Sequence, residues 1–233
     1  MGRTVVVGAG GALLLPPRER ALMAALALRS PAVVSADELV WMVWAGGPPV
    51  TARKSLQNHM VRVRGAGGGA LVVTSDAGYH LGPGVVTDVE EAETLLGDAR
   101  AARGDQRWAR RLELVEACSQ LRRGRPYADL PDTVEVVGER GRLDELLCQV
   151  DEDVTETLLV MGRPLEAVAR LERLVTEEPY RERRWEQLLA GRFLIGKSAD
   201  RSAGGRHGRR HTRRGRLDGE RADDAARDAG LGR

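Results

Sequence analysis

From Thr87 to Ile195 apolar residues recur at helical spacing in run after run, broken only at Gly104-Asp105, Arg122 to Pro131, Gly162 and Pro179. Breakers placed this way define paired helices with a period of roughly 30–35 residues, that of tetratricopeptide-type helical hairpins, in which each helix needs its neighbours to bury its apolar face. The pattern predicts helices over Val89 to Arg103, Gln106 to Ser119, Thr133 to Met161, Leu165 to Glu177 and Arg181 to Ile195. Upstream of Thr87 short helical and strand-like runs alternate. From Lys197 to Arg233 the only large apolar residues are Leu217 and Leu231, among many Arg and Gly, so that stretch cannot bury a core and is expected to be a disordered basic tail. The fold class that follows is mainly α with small β. Residues 1–86 form one domain, residues 87–196 an all-α helical domain, and residues 197–233 the tail.

Within the first segment, Val5-Val6-Val7 and Leu13-Leu14-Leu15 read as two strands around Gly8 to Ala12. Pro17 suits the first turn of a helix, whose apolar face is Leu22, Met23, Leu26 and Leu28 and which Pro31 stops. Ser35 with Glu38 three residues later forms a capping box for a second helix through Trp44, closed by Gly46-Gly47-Pro48-Pro49. A third helix starts at Thr51, with Ala52, Leu56, Met60 and Val63 on one face. After Gly65 to Gly69, Leu71 to Thr74 and Tyr79 to Leu81 read as a strand pair turning through Ser75 to Gly78.

A helix followed by a hairpin is the winged-helix arrangement, in which the helix enters the major groove and the hairpin rests on the backbone or the minor groove. The residue types suit that use. Opposite the apolar stripe of the third helix, Lys54, Gln57, Asn58 and Val61 are the candidates for base contact, since Gln and Asn make bidentate hydrogen bonds to adenine. Arg53, Arg62 and Arg64 are the candidates for phosphate, and Thr74 and His80 are lesser candidates in the wing. Charge is distributed accordingly. Although the total is only +2, the acidic middle separates a basic head from a basic tail.

Several stretches together resemble the Streptomyces antibiotic regulatory protein family. In the first half they are Arg18-Glu19-Arg20-Ala21-Leu22, Ser35-Ala36-Asp37-Glu38-Leu39 to Trp44, Pro48-Pro49, Ala52 to Arg64 and Gly78-Tyr79-His80-Leu81. In the second half they are Arg123-Gly124-Arg125-Pro126-Tyr127-Ala128-Asp129-Leu130, Arg142-Leu143-Asp144-Glu145-Leu146 and Pro179-Tyr180-Arg181-Glu182-Arg183. The resemblance covers about residues 13–200, and its motifs occur in the family's order. It implies an OmpR-type winged helix joined to a bacterial transcriptional activator domain. It further implies double-stranded promoter DNA bound at direct repeats by side-by-side copies, self-association on that DNA, and activation through RNA polymerase. Two departures stand out: the Gly65 to Gly69 run, where the family keeps helix formers, and the abrupt turn to Arg and Gly after Lys197. The second is read as a disrupted reading frame after about Asp200, with a natural basic tail that binds DNA non-specifically as the other reading.

Other chemistry finds little support. Gly191 to Ser198 spells G-x-x-x-x-G-K-[ST], but a phosphate loop needs a strand before it, whereas Arg181 to Phe193 reads as helix, and the resemblance implies an ordinary turn between helices at Gly196-Lys197. Val5 to Ala12 opens like a dinucleotide fingerprint, but Pro16-Pro17 spoils the helix that should follow. His207 and His211 lack acidic or Cys partners for a metal, and Cys118 and Cys148 lack ligand spacing and read as reduced thiols. No nucleophile has a recognisable frame, so the expectation is a cytoplasmic regulator without cofactor, metal or enzyme activity. No apolar run reaches the roughly 18–20 residues of a membrane span, and no signal peptide is read at Met1 to Leu15. The competing class is a helical interaction scaffold with a degenerate DNA-binding domain.

Overall fold

The computed structural model describes residues 1–8, 11–44 and 47–199. The expected tail, its disrupted frame and His207 and His211 lie outside the described residues. The elements, in order, are β1 (Val6–Gly8), β2 (Gly11–Leu13), α1 (Pro17–Arg29), α2 (Ala36–Trp44), α3 (Ala52–Gly67), β3 (Val72–Ser75), β4 (Gly78–Leu81), α4 (Asp88–Gly104), α5 (Trp108–Gln120), α6 (Val134–Val160) and α7 (Pro164–Glu177). A last described helix, α8, covers residues 182–199. The chain divides into two compact units, Met1–Thr157 and the residues from Leu158 onward.

In the first unit, Leu22 and Leu26 of α1, Leu39 and Val43 of α2, Leu56, Met60 and Val63 of α3, and Val72 of β3 form one buried core. Two antiparallel pairs flank it, β1 with β2 and β3 with β4, the latter in register Val72 with Leu81 and Thr74 with Tyr79. Backbone amide and carbonyl bonds of 2.8 Å in both directions between Val34 and Tyr79 attach the segment before α2 to β4. That close approach needs glycine at the turn. Gly78 stands at φ +148°, and a Cβ there would lie 2.1 Å from the Val34 carbonyl oxygen.

The helix ends differ from expectation in instructive ways. The Ser35 hydroxyl accepts from the Glu38 amide at 3.2 Å, but the reciprocal half of that capping box is missing, because the Glu38 carboxylate pairs instead with Arg29 of α1 at 2.8 Å. Thr51 precedes α3 without a side-chain cap, whereas Thr87 and Glu90 make a complete capping box on α4. α3 runs through Gly65 to Gly67 and stops only at Gly68, whose φ of +88° is left-handed. The glycine run therefore ends the helix rather than shortening it.

The expected junction after residue 86 falls inside the first unit. Leu130 and Val136, from beyond it, join the core of α1–α3. The loop between α5 and α6 makes the connection. Arg140 of α6 donates to the carbonyls of Pro126, Tyr127 and Leu130 at 2.8–3.1 Å and to the Asp132 carboxylate at 2.5 Å. The Asp129 carboxylate, held in that loop, accepts from Arg20 Nε of α1 at 2.8 Å and from the Thr4 amide at 2.7 Å. Arg29 reaches Glu135, and the Ser30 hydroxyl reaches Glu90. The Met1 side chain is buried among Ala92, Leu96, Cys118, Leu143 and Leu147, and its amine lies on the Leu121 carbonyl. Burial pushes the Cys118 thiol up to about 11, with Glu91 and Asp151 adding to the effect, so it stays protonated.

In the second unit, Ala167, Leu171, Leu174 and Val175 of α7 are buried, and Arg184 and Leu188 of α8 are buried too. Arg184 donates to the Leu174 carbonyl at 3.0 Å. Gly191 lies where α8 meets α7, and a Cβ there would come within 2.7 Å of Val168 Cγ2, so that side chain would have to shift. α8 continues through residue 199, past the expected end at Ile195. Gly196-Lys197, expected at a turn, and the whole G-x-x-x-x-G-K-[ST] stretch are therefore helical, as the rejection of a phosphate loop required.

Candidate nucleic-acid interface

The third helix of the first unit carries most of the expected site. Ala52, Leu56, Met60 and Val63 are buried, and Lys54, Gln57, Asn58 and Val61 are exposed on the opposite side. At 100° per residue Lys54, Asn58 and Val61 fall within a narrow stripe, flanked by Gln57 on one side and Arg62 on the other. Val61 exposes two-thirds of its surface, which leaves an apolar patch between the polar side chains of that stripe. A thymine methyl is the kind of group such a patch accepts.

Each of the three expected phosphate arginines is also used inside the protein. Arg53 makes a two-pronged ion pair with Asp37 of α2, Nε to Oδ1 at 2.7 Å and a second bond from its terminal nitrogen. The hydrogen bond from Arg53 holds the Asp37 carboxyl below its ordinary value, and Asp37 raises Arg53 in turn. Arg64 donates from Nε to the Val72 carbonyl at 2.9 Å and from its terminal nitrogen to Thr74 Oγ1, so it fastens the end of α3 to the wing. Arg62 lies 3.6 Å from Glu19 of α1. The guanidinium groups of Arg53 and Arg62 remain largely exposed despite these partners. Of the wing residues, Thr74 is taken up by Arg64, and His80 Nδ1 donates to the Leu81 carbonyl at 2.8 Å.

Sequence reading did not single out Glu19, Asp37 or His59 as members of this site. Glu19 is 1 % exposed beneath α3, where its carboxylate accepts from His59 Nδ1 at 3.0 Å. Burial pushes the Glu19 carboxyl up, but the bond to His59, its own backbone amide and the charges of His59 and Arg62 outweigh it and hold it low. The His59 ring also lies 6.1 Å from the Trp44 ring, and Arg18 covers Trp44 at 5.2 Å. A charged residue at an otherwise apolar helix position was the available signal for Glu19. Its partner could not be named, because the two lie 40 positions apart in the chain.

Among the described residues no group of acidic, His and Cys side chains is arranged to hold a metal ion, and no helix is long and apolar enough to cross a membrane. Comparison with known proteins agrees with the motif reading. Residues 87–226 match the family described as the bacterial transcriptional activator domain. The transcriptional regulatory protein MoaR1 of Mycobacterium tuberculosis is 28% identical over 188 residues, covering 76% of this chain and 60% of the relative. The regulatory protein AfsR of Streptomyces griseus is 30% identical over 187 residues, covering 79% of this chain and 19% of the relative. This chain thus spans less than two-thirds of either. A solved structure of Mycobacterium tuberculosis EmbR, in complex with a low-affinity phosphopeptide, shares the fold with a TM-score of 0.70 over 82% of this chain and 52% of that one, at 24% identity. These relatives are named as regulators, and the family is one of transcriptional regulators rather than enzymes. The chain belongs to the bacterial transcriptional activator domain family, and its resemblance to the Streptomyces antibiotic regulatory protein family is borne out.

Proposed function

We propose that the chain is a cytoplasmic, sequence-specific activator that binds double-stranded promoter DNA through α3 and recruits RNA polymerase. The observation that carries this reading is the stripe of Lys54, Asn58 and Val61 on a helix braced near both ends, by Arg53 to Asp37 and by Arg64 to the wing. Bracing supports base reading because side chains on a fixed helix need little ordering when they meet the groove. In this reading Lys54, Gln57, Asn58 and Val61 meet bases. Arg53, Arg62 and Arg64 present their exposed edges to phosphates while keeping their internal partners. Thr74 and His80 lie on the wing side of the same contact. Copies sit side by side on direct repeats, and no cofactor or metal takes part.

A binding selection from random duplex DNA at near-physiological salt tests the reading. An enriched motif, repeated in direct orientation, is expected, with affinity that falls at high salt while the sequence preference persists at moderate salt. Binding without any enriched motif would overturn sequence reading by α3 and leave a helical scaffold whose basic residues attract DNA unspecifically.

A further inference from the structure

The outward stripe of α3 has two unlike flanks, as its turn of 100° per residue requires. Arg53, Gln57 and Arg64 lie on one flank, where Arg53 meets Asp37 and Arg64 meets the wing. His59 and Arg62 lie on the other, against Glu19 in the first turn of α1. Beside that second flank, Arg18 of α1 is exposed yet fixed. Its guanidinium carbon lies 5.2 Å from the centre of the Trp44 ring, and its terminal nitrogen donates to the Val43 carbonyl at 2.9 Å. The Trp44 ring in turn lies 6.1 Å from the His59 ring. Unlike Arg53 and Arg62, Arg18 has no carboxylate partner among the described residues. Arg20, two positions on, is spent on Asp129 and the Leu15 carbonyl.

We propose that Arg18 is a further phosphate-binding residue, which with Arg62 holds the DNA backbone along the α1 side of the major groove. The inference rests on α3 as the DNA-binding helix and gives that helix a second wall, opposite the strand met by Arg53 and Arg64. A helix lying in the major groove runs between two phosphate backbones, so cations are needed on both of its flanks. Stacking on Trp44 occupies the flat face of the Arg18 guanidinium and leaves its N–H edge available. Neither an indole face nor a carbonyl cancels its charge, and a side chain already held in place loses little entropy when it meets a phosphate. A phosphodiester carries no sequence information, so Arg18 supplies affinity and register rather than base preference.

The test uses the full chain, fluorescence anisotropy across a range of salt, and ethylation interference on the duplex enriched by selection. Arg18→Gln should weaken binding about fivefold at near-physiological salt and lower the salt slope by about 0.9, the share of one phosphate, on selected and random duplexes alike. Arg18→Lys, which keeps the charge, should restore the slope. In the footprint, Arg18→Gln should lose a phosphate on the same strand as the one lost by Arg62→Ala, with the opposite strand, where Arg53→Ala acts, unchanged. A slope and footprint unaltered by Arg18→Gln would overturn the proposal while leaving base reading by α3 intact. So would weaker binding with an unaltered slope and a lowered Tm, the mark of a residue that only steadies Trp44. If no motif is enriched, base reading falls, and the slope on random duplex alone decides for or against Arg18. A wild-type chain that binds no DNA would overturn both.

Discussion

Replacing Asp129 by alanine should cost the protein about 3 kcal/mol. The carboxylate side chain is 8 % exposed and receives the Thr4 amide at 2.7 Å and Arg20 Nε at 2.8 Å, with Arg3 at 3.6 Å. Removing one member of a buried ion pair strands the other, at roughly 3–5 kcal/mol. Arg20 is 15 % exposed and keeps its bond to the Leu15 carbonyl, which brings the expected loss to the lower end of that range. For a chain of this size about 3 kcal/mol lowers Tm by roughly 6–12 °C. The assay is urea unfolding followed by fluorescence in a Trp185→Phe background, so that the signal comes from Trp41, Trp44 and Trp108 of the first unit. A second arm uses Arg20→Met. With both partners gone no charge is stranded, and Asp129→Ala should cost at least 1 kcal/mol less in that background than alone. A loss under about 1 kcal/mol for Asp129→Ala, or equal losses in both backgrounds, would refute the view that this pair ties the α5–α6 loop to α1.

Acid should act through the same carboxyls. Asp129, Glu19 and Glu90 are all held below their ordinary values, so the stability they contribute is present above the unfolded-state values of about 3.9 for Asp and 4.3 for Glu and is lost as pH falls through the lower folded values. Unfolding titrations between pH 7 and 2 should show a steep decline only below about pH 4, and a decline centred near pH 6 would contradict this assignment. Asn58→Ala should lose about 1–3 kcal/mol on the selected DNA site and little on random DNA, measured by fluorescence anisotropy, and equal losses would remove Asn58 from base reading. Arg62→Ala should weaken both and flatten the salt dependence by about one unit of slope; an unchanged slope would show that its bond to Glu19 keeps it from phosphate. Gly78→Ala should destabilise by at least about 1–3 kcal/mol in thermal unfolding, because its Cβ would enter the Val34 carbonyl.

Periodicity located nearly every helix, because apolar spacing and breakers such as Pro31, Gly162 and Pro179 act locally. The exposed stripe of α3 was legible for the same reason. Less legible was the behaviour of Gly65 to Gly67. Low helix propensity argues against helix there, but each backbone amide still finds a carbonyl one turn back, and the left-handed residue that stops the helix comes only at Gly68. The second half of the Ser35 and Glu38 capping box was lost to Arg29, a competitor from another helix that local spacing cannot reveal. The far end of α8 runs past the expected end at Ile195, because Gly196 keeps helical backbone and does not adopt the left-handed conformation that stops a helix.

What the amino-acid order by itself determined is the succession of elements and the outward face of each, since both depend on interactions between residues a few positions apart. Tertiary structure alone decided which charges are spent inside the protein. Arg53, Arg62 and Arg64 read as free cations on a helix surface, yet they meet Asp37, Glu19, Val72 and Thr74 only after α1, α2 and the wing close around α3. The same holds for Asp129 and Arg20, 109 positions apart. An ion pair of that separation forms only after the intervening chain has folded, so no local pattern in the sequence records it.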